Sequence, residues 1–178
     1  HLRRDFFEIL PKFTAKYDID TANNLYLSVA KGYKAGGFNT QMFSEVLQRR
    51  IKHYMGMYQD LDIEDIITYK PEESWNTEIG SHFSTKNARF SGDVALFWIE
   101  CFNQQLTVFP EGQTTGRMMT NAGRTRSFGA EVSLNAVLTE GLTLSGAYGY
   151  TNARFREFKD GVNDYAGNYL PYAPPHTA

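Results

Sequence analysis

Disulfide-forming cysteines, long hydrophobic runs and an excess of positive charge are all missing from this sequence of 178 residues. Its single cysteine, Cys101, has no partner for an internal disulfide and excludes a zinc site built from several cysteines. The formal net charge of −2 provides no basic face for a nucleic-acid partner, so none is predicted. No run of about 18 apolar residues occurs, which excludes a helical membrane span.

These absences do not exclude a membrane-embedded sheet. A transmembrane β-strand crosses lipid in about 9–11 residues, and only every second side chain has to be apolar. The mean hydropathy of −0.45 therefore fits both a soluble β-domain and the wall of a membrane barrel. Because no signal peptide is visible and the sequence begins within a predicted strand, we interpret it as a piece of a longer protein.

The main pattern in the sequence is an alternation of apolar and polar residues with a period of two. Aromatic residues make up 15% of it and there are 15 glycines, a mixture that favours strands and turns. Apolar and polar residues alternate in residues 7–19, 25–32, 71–83, 89–98, 127–138 and 142–151, and residues 170–177 look like the start of a further strand. The predicted fold class is therefore all-β, an antiparallel meander of about seven strands.

The connections between these segments alternate between short and long. The longest, residues 38–70, contains Phe43, Leu47, Ile51 and Tyr54 at helical spacing, which predicts a helix inside a long loop. An acidic stretch follows at residues 60–65 and is interpreted as solvated. Outer-membrane barrels have short periplasmic turns and long extracellular loops, so the alternation favours a barrel whose residues 38–70 form an extracellular loop.

Aromatic placement agrees with that interpretation. Trp75, Trp98 and Tyr148 fall near the loop ends of their strands, and Tyr17 and Phe90 near the turn ends, as the two aromatic girdles of a membrane barrel require. A soluble sandwich also alternates, with its apolar face turned inward. A soluble carbohydrate-binding or interaction β-domain therefore stays open as the alternative class.

Six short motifs resemble those of TonB-dependent receptors, in the order of that family. They are YLSVAKGYKAGGFN at 26–39, YKPEESWNTEIG at 69–80, the run 95–105, Asn121-Ala122-Gly123 with Phe128-Gly129-Ala130-Glu131, residues 150–155, and residues 170–174. The resemblance is nearest to the siderophore-receptor branch. It implies a 22-stranded barrel of the bacterial outer membrane, of which residues 1–178 supply about a third, with the plug domain absent.

The resemblance also implies a function. The parent protein is expected to import a scarce nutrient, a ferric siderophore in the first place, with cobalamin or glycans as alternatives. Its expected partners are TonB and the plug domain, both acting through the parent protein, the lipid of the outer membrane and the small-molecule ligand.

No catalytic or cofactor site is predicted, so the protein is not expected to be an enzyme. The four histidines are scattered and share no metal-ligating spacing. Serine and aspartate are present without a nucleophile-elbow sequence or a phosphate-cradling glycine loop.

Ligand contacts are expected on the loops, because a rigid barrel presents its variable loops outward. The candidates combine arginines with aromatics, which suit an anionic, aromatic ligand, and are Tyr69, Phe109, Arg117, Arg124 and Arg126. Packing of the loops against one another is the other interpretation of the same residues. On the polar face of the strands, Glu78, Asp93 and Glu131 are expected to brace the wall or contact the plug through ion pairs, or else to guide the substrate.

The assignment of faces predicts that an arginine destabilises the protein strongly at one position and only slightly at the next. Val132→Arg should lower the free energy of unfolding by about 2–4 kcal/mol, because it places a charge at mid-membrane depth. Ser133→Arg should cost little, because its side chain points to the polar face. Equilibrium unfolding of both variants in lipid vesicles measures this, and equal costs would mean that the faces are assigned wrongly.

Overall fold

The computed structural model describes residues 5–39, 68–108, 118–158, 164–171 and 173–178. Seven strands form one antiparallel sheet in the order β1-β2-β5-β6-β9-β10-β11. Their bounds are Lys12–Asp18 (β1), Asn24–Lys34 (β2), Glu72–Ser84 (β5), Phe90–Phe102 (β6), Arg124–Thr139 (β9), Leu142–Glu157 (β10) and His176–Thr177 (β11). Each strand pairs with the next one along the chain within this sheet, which confirms the predicted meander.

The cross-strand register carries the alternation of each strand into its neighbours. Leu27 lies opposite Ile79, Ile79 opposite Leu96, and Leu96 opposite Ala130. Directly paired residues project to the same side of a sheet, so the apolar residues of every strand share one face. We call this side, with Leu27, Ile79 and Leu96, the apolar face, and the opposite side, with Glu78, Asp93 and Glu131, the polar face.

The apolar face has no covering layer among the described residues. Ile79 and Leu96 are each 54% exposed and Leu144 is 63% exposed. The buried apolar residues of the described part are few, namely Cys101, Ala122, Ala153 and Phe155. The described residues contain no helix that is long and apolar enough to cross a membrane.

Short turns join the strands at one edge of the sheet. They span residues 19–23, 85–89 and 140–141, and the last places Gly141 at φ 104°, which favours glycine. In the first turn the backbone N–H of Ala22 donates to Asp20 Oδ1 at 2.8 Å. That bond, together with a second from the Asn23 side chain, lowers the pKa of the Asp20 carboxyl from its ordinary value. The strand ends that lead into the long connections all lie at the opposite edge, as predicted.

Two small sheets extend the sheet at the edge of the long connections. β3 (Gly37–Phe38) pairs with β4 (Thr68–Tyr69), and β7 (Gln105–Val108) pairs with β8 (Met118–Asn121). The second hairpin lies in a segment that the sequence predicts as a polar loop. The helix predicted in residues 41–57 and the acidic stretch at 60–65 lie outside the described residues.

The first and last strands are shorter than the periodicity predicts. β1 begins only at Lys12, because Pro11 has no N–H to donate to a neighbouring strand. Residues 7–10 continue the alternation of apolar and polar side chains but do not form a strand. Pro11 still accepts a hydrogen bond at its carbonyl oxygen from Lys31 N at 3.0 Å. The seventh strand is limited to His176–Thr177, which pairs with residues 149–150 of β10.

Glycines of the strands lie directly opposite aromatic residues. Tyr26 faces Gly80, Phe83 faces Gly92, and Phe97 faces Gly129. In each pair a Cβ added to the glycine would collide with the neighbouring ring. The missing side chain therefore gives the ring space to lie across the adjacent strand, an arrangement that also stabilises glycine in a sheet.

Two glycine substitutions separate this packing from the general effect of adding a side chain. In Gly129→Ala the new Cβ would meet the Tyr150 carbonyl oxygen and the Phe97 ring, so we expect a loss of about 1–3 kcal/mol in the free energy of unfolding. Gly146→Ala is the control, because nothing lies within 4 Å of its added Cβ, and should be neutral or slightly stabilising. Urea unfolding of the full-length protein measures both, and equal losses would contradict the packing account.

Candidate functional site at the base of the long loops

The most densely hydrogen-bonded part of the described chain lies where the long connections leave the sheet. Its centre is formed by Asn39, Glu72, Gln105 and Asn121, which we call the loop-base cluster. Asn39 is 7% and Gln105 8% exposed, so both are buried polar residues. Buried polar groups of this kind are tolerated only when they are hydrogen-bonded.

Gln105 connects three segments of the chain. Its Nε2 donates to the carbonyl oxygens of Ala35 at 2.9 Å and Lys70 at 3.2 Å, and lies 3.4 Å from that of Lys34. Its backbone N–H donates to Glu72 Oε2 at 2.7 Å. The start of β7 is thereby fixed to both ends of the long loop that follows β2.

Two asparagine side chains imitate backbone pairing. Asn39 Nδ2 donates to the Met119 carbonyl oxygen, and Asn39 Oδ1 accepts from Met119 N, both at 2.8 Å. Asn121 does the same with Lys70, accepting from its N–H at 2.7 Å and donating to its carbonyl oxygen at 3.0 Å. Since each amide satisfies a donor and an acceptor of another segment, these bonds join the small β3–β4 sheet to the β7–β8 hairpin.

Neighbouring backbone contacts complete the cluster. Asn103 N donates to the Gly123 carbonyl oxygen at 2.8 Å, and Ala122 N to that of Gln104 at 2.7 Å. Ala122 is fully buried and Thr125 is 2% exposed. The sequence motifs that resemble a receptor family therefore meet here: the Asn of GGFN, the first Glu of PEE and the Asn of NAG. Sequence reasoning identified the motifs but missed their common location, because strand periodicity contains no information about side-chain amides in loops.

The polar face presents carboxylates to a shallow depression of about 460 Å³. Glu78, Asp93 and Glu131 line it together with Tyr26 and Ser133. Asp93 Oδ1 lies 2.8 Å from His82 Nδ1, and Ser133 Oγ donates to Asp93 Oδ2 at 3.2 Å.

Lys16 also projects to the polar face, but its charge is paired elsewhere. Lys16 Nζ lies 2.7 Å from Asp18 Oδ1, on its own strand. Among the described residues, no ion pair links Lys12, Lys16 or Arg89 to the three carboxylates, and no cluster of His, Cys, Asp and Glu is arranged to hold a metal. The polar face therefore offers carboxylate hydrogen-bond acceptors.

The five predicted ligand residues fall in different places. Tyr69 is half-buried in β4, opposite Gly37, whose missing side chain leaves room for the Tyr69 ring. Phe109 and Arg117 lie outside the described residues. Arg124 and Arg126 belong to β9 and not to a loop, and they share the apolar face with Phe128.

The two arginines of β9 converge on one carboxylate. Arg124 Nε donates to Glu100 Oε2 at 2.9 Å, and Arg126 Nε donates to Glu100 Oε1. Trp98 Nε1 also donates to Glu100 Oε1, at 3.2 Å. The Trp98 ring stacks on Phe128 with centroids 5.6 Å apart. These contacts hold the arginine side chains against the outside of the sheet, on the face opposite to the carboxylate-lined depression.

Comparison with known protein families decides the identity of this sheet. The model of the TonB-dependent receptor-like β-barrel matches residues 1–178. The chain belongs to the family of TonB-dependent receptors. This is a family of receptors and transporters, and the open seven-stranded sheet is part of the wall of its barrel.

Solved receptor structures share the fold. The ferric yersiniabactin uptake receptor FyuA from Yersinia pestis matches with a TM-score of 0.62 at 20% identity, covering 93% of this chain and 21% of its own. The ferric-catecholate import receptor Fiu from E. coli K12 matches with a TM-score of 0.56 at 21% identity, covering 93% and 20%. The pyoverdine receptor FpvA from Pseudomonas aeruginosa PAO1 matches with a TM-score of 0.53 at 17% identity, covering 88% and 20%. The chain thus spans about a fifth of the length of these receptors.

Removal of the Gln105 side chain tests whether the loop-base cluster holds the two hairpins together. Gln105→Ala removes the donor to the carbonyl oxygen of Ala35 and leaves that of Lys70 bound to Asn121 alone, so we expect a loss of about 1–3 kcal/mol in local stability. Hydrogen exchange measured by mass spectrometry should then accelerate in peptides spanning residues 34–37 and 68–72.

A matched control is Asn135→Ala, which truncates an exposed amide on β9 and should leave exchange at the loop base unchanged. Unchanged exchange in Gln105→Ala would show that the cluster does not hold the loops.

Proposed function

We propose that this chain forms part of the wall of a bacterial outer-membrane importer for ferric siderophores. The observation that carries the proposal is the separation of the two faces. A continuous apolar face is exposed across six strands, while the opposite face is polar and carries the carboxylate-lined depression. In water such an exposed apolar face favours aggregation, whereas in a bilayer it contacts hydrocarbon.

The length of the apolar band supports placement in a membrane. On β9 the outward apolar residues run from Phe128 to Leu138, and a strand rises about 3.3 Å per residue. With a tilt of about 40°, this stretch spans roughly 25 Å along the membrane normal, the height of the apolar band of an outer-membrane barrel. In this orientation the polar face lines the lumen, where Glu78, Asp93 and Glu131 meet the plug or the passing substrate.

The loop-base cluster supports a role in ligand capture. It holds the start of the 38–70 loop beside the β7–β8 hairpin, so both project from the same edge of the barrel. Tyr69 lies at this edge, and Phe109 and Arg117 belong to the connection beyond β7, outside the described residues. We propose that these three residues contribute to ligand binding on the extracellular side.

The choice of a siderophore rests on the relatives and on the ligand chemistry. Three of the similar structures are receptors whose names specify yersiniabactin, catecholate and pyoverdine. A further similar structure, the copper transporter OprC, has a TM-score of 0.53 at 12% identity. Cobalamin and glycans are the competing substrates. Energised transport would proceed through TonB and the plug domain of the parent protein.

Uptake by living cells tests the proposal. Cells lacking the gene for the full-length receptor, with and without a plasmid copy, are supplied with radiolabelled ferric catecholate, ferric hydroxamate and cobalamin in separate assays. We expect the plasmid to restore accumulation of at least one ferric complex, and collapse of the proton-motive force to abolish it. Restoration of cobalamin uptake alone, or of growth on an oligosaccharide alone, would contradict the siderophore assignment while leaving the receptor fold intact.

A further inference from the structure

One cross-strand row of the apolar face is charged. Lys31 lies opposite Trp75, Trp75 opposite Glu100, Glu100 opposite Arg126, and Arg126 opposite Arg154. All five side chains therefore project to the side that the proposed function turns toward lipid. Charges are excluded from the hydrocarbon band, so a charged row on this face marks the level at which hydrocarbon ends.

Two members of the row are already engaged by other groups. Lys31 Nζ forms ion pairs with Glu8 at 2.5 Å and Glu73 at 3.1 Å. Arg154 donates from Nη1 to the Gly167 carbonyl oxygen at 2.9 Å and from Nη2 to Tyr169 Oη at 2.7 Å. Arg126 is the remaining cation of the row, and Arg124 lies two residues from it on the same face of β9. These two arginines have donors available for an external partner.

Arg124 and Arg126 are held in place through their Nε atoms. Both bind the same Glu100 carboxylate, so the group of three carries a net charge of +1. The guanidinium carbon of Arg126 lies 4.6 Å from the Trp98 ring centroid, and that of Arg124 lies 5.0 Å from that of Phe102. Within the described part of the chain, no hydrogen bond from the Nη atoms of either arginine is found.

The accessible parts of this group are the arginines and not the acid. The Glu100 side chain is 14% exposed, whereas those of Arg124 and Arg126 are 37% and 25% exposed. Because the carboxylate is less exposed than either arginine, an approaching molecule meets the guanidinium groups before the carboxylate. Both arginines precede Phe128 on β9 and lie just beyond the end of the apolar band that is nearest the long connections.

We propose that Arg124 and Arg126 bind the phosphate of an anionic lipid headgroup in the outer leaflet, with Glu100 and the rings of Trp98 and Phe102 holding both guanidinium groups in position. Guanidinium groups form paired, charge-assisted hydrogen bonds with phosphate oxygens. They bind an anionic headgroup more tightly than a zwitterionic one, because the zwitterionic headgroup carries its own cation beside the phosphate. Arg154 adds a further positive charge beside the site. The inference rests on the proposed membrane orientation, and it gives these two arginines a partner on the lipid side instead of the nutrient ligand.

Binding of a phosphorylated glycolipid to the full-length receptor tests the site. The receptor is inserted into phosphatidylcholine nanodiscs, and titration with lipid A is compared with titration with lipid A from which the phosphates have been removed. We expect the phosphorylated form to bind at least about tenfold more tightly. The double variant Arg124→Gln/Arg126→Gln should lose this preference, and Lys86→Gln/Arg89→Gln, which removes the same two positive charges at the turn edge, should retain it.

Glu100→Gln separates a binding role from a structural one. The amide oxygen of Gln still accepts from an arginine and keeps the side chains in place, while the loss of the negative charge raises the net charge of the group from +1 to +2. We therefore expect tighter binding of the phosphorylated glycolipid than in the unaltered receptor. Weaker binding in Glu100→Gln, or an unchanged preference in the double arginine variant, would overturn the site. Failure of the unaltered receptor to insert into lipid would instead overturn the proposed membrane orientation itself.

Discussion

Cross-strand register is the constraint on which the rest of this structure depends. A period of two within one strand produces two faces, but a shift of one residue between neighbours would mix them. Here six strands keep the same phase, and the directly paired residues are Ala15, Leu27, Ile79, Leu96, Ala130 and Tyr150. The result is a sheet whose apolar residues project to one side, and no opposing layer buries them among the residues that the structure describes. Hydrocarbon takes the place of such a layer in a bilayer, so the fold supports the proposed location.

The same register gives the glycines and the loop residues their positions. Tyr26 and Phe97 lie across Gly80 and Gly129 because each pair is directly opposed in the sheet. At the edge of the long connections the regular ladder ends, and side-chain amides of Asn39 and Asn121 take over the role of backbone pairing. The wall and the base of the loops therefore form one continuous hydrogen-bonded unit, with polar loops at one end and short turns at the other.

The sequence was sufficient to predict the strands and their faces, because an exposed apolar face imposes a period of two on every segment. It also predicted the alternation of short and long connections. It did not predict the β7–β8 hairpin or the role of Gln105, since these depend on contacts between segments distant along the chain. Arg124 and Arg126 were assigned to a loop because the apolar alternation of this segment begins only at residue 127. Their pairing opposite Phe102 and Glu100 shows that β9 continues past Phe128 with charged residues on its apolar face. The strand count of 22 for the whole barrel stays a prediction, and the helix of the 38–70 loop lies outside the described residues.

The most direct test of the account is the environment of successive side chains along β6. Spin labels attached one at a time to residues 91–98 of the full-length receptor in lipid vesicles, in a background with Cys101 replaced, report collision rates with oxygen and with a polar nickel reagent. The account predicts strict alternation, with oxygen favoured at Gly92, Val94 and Leu96 and the nickel reagent at Ser91, Asp93 and Ala95. A reversed phase, or low collision rates with both reagents at the apolar positions, would show that these side chains pack in a protein interior and would contradict it.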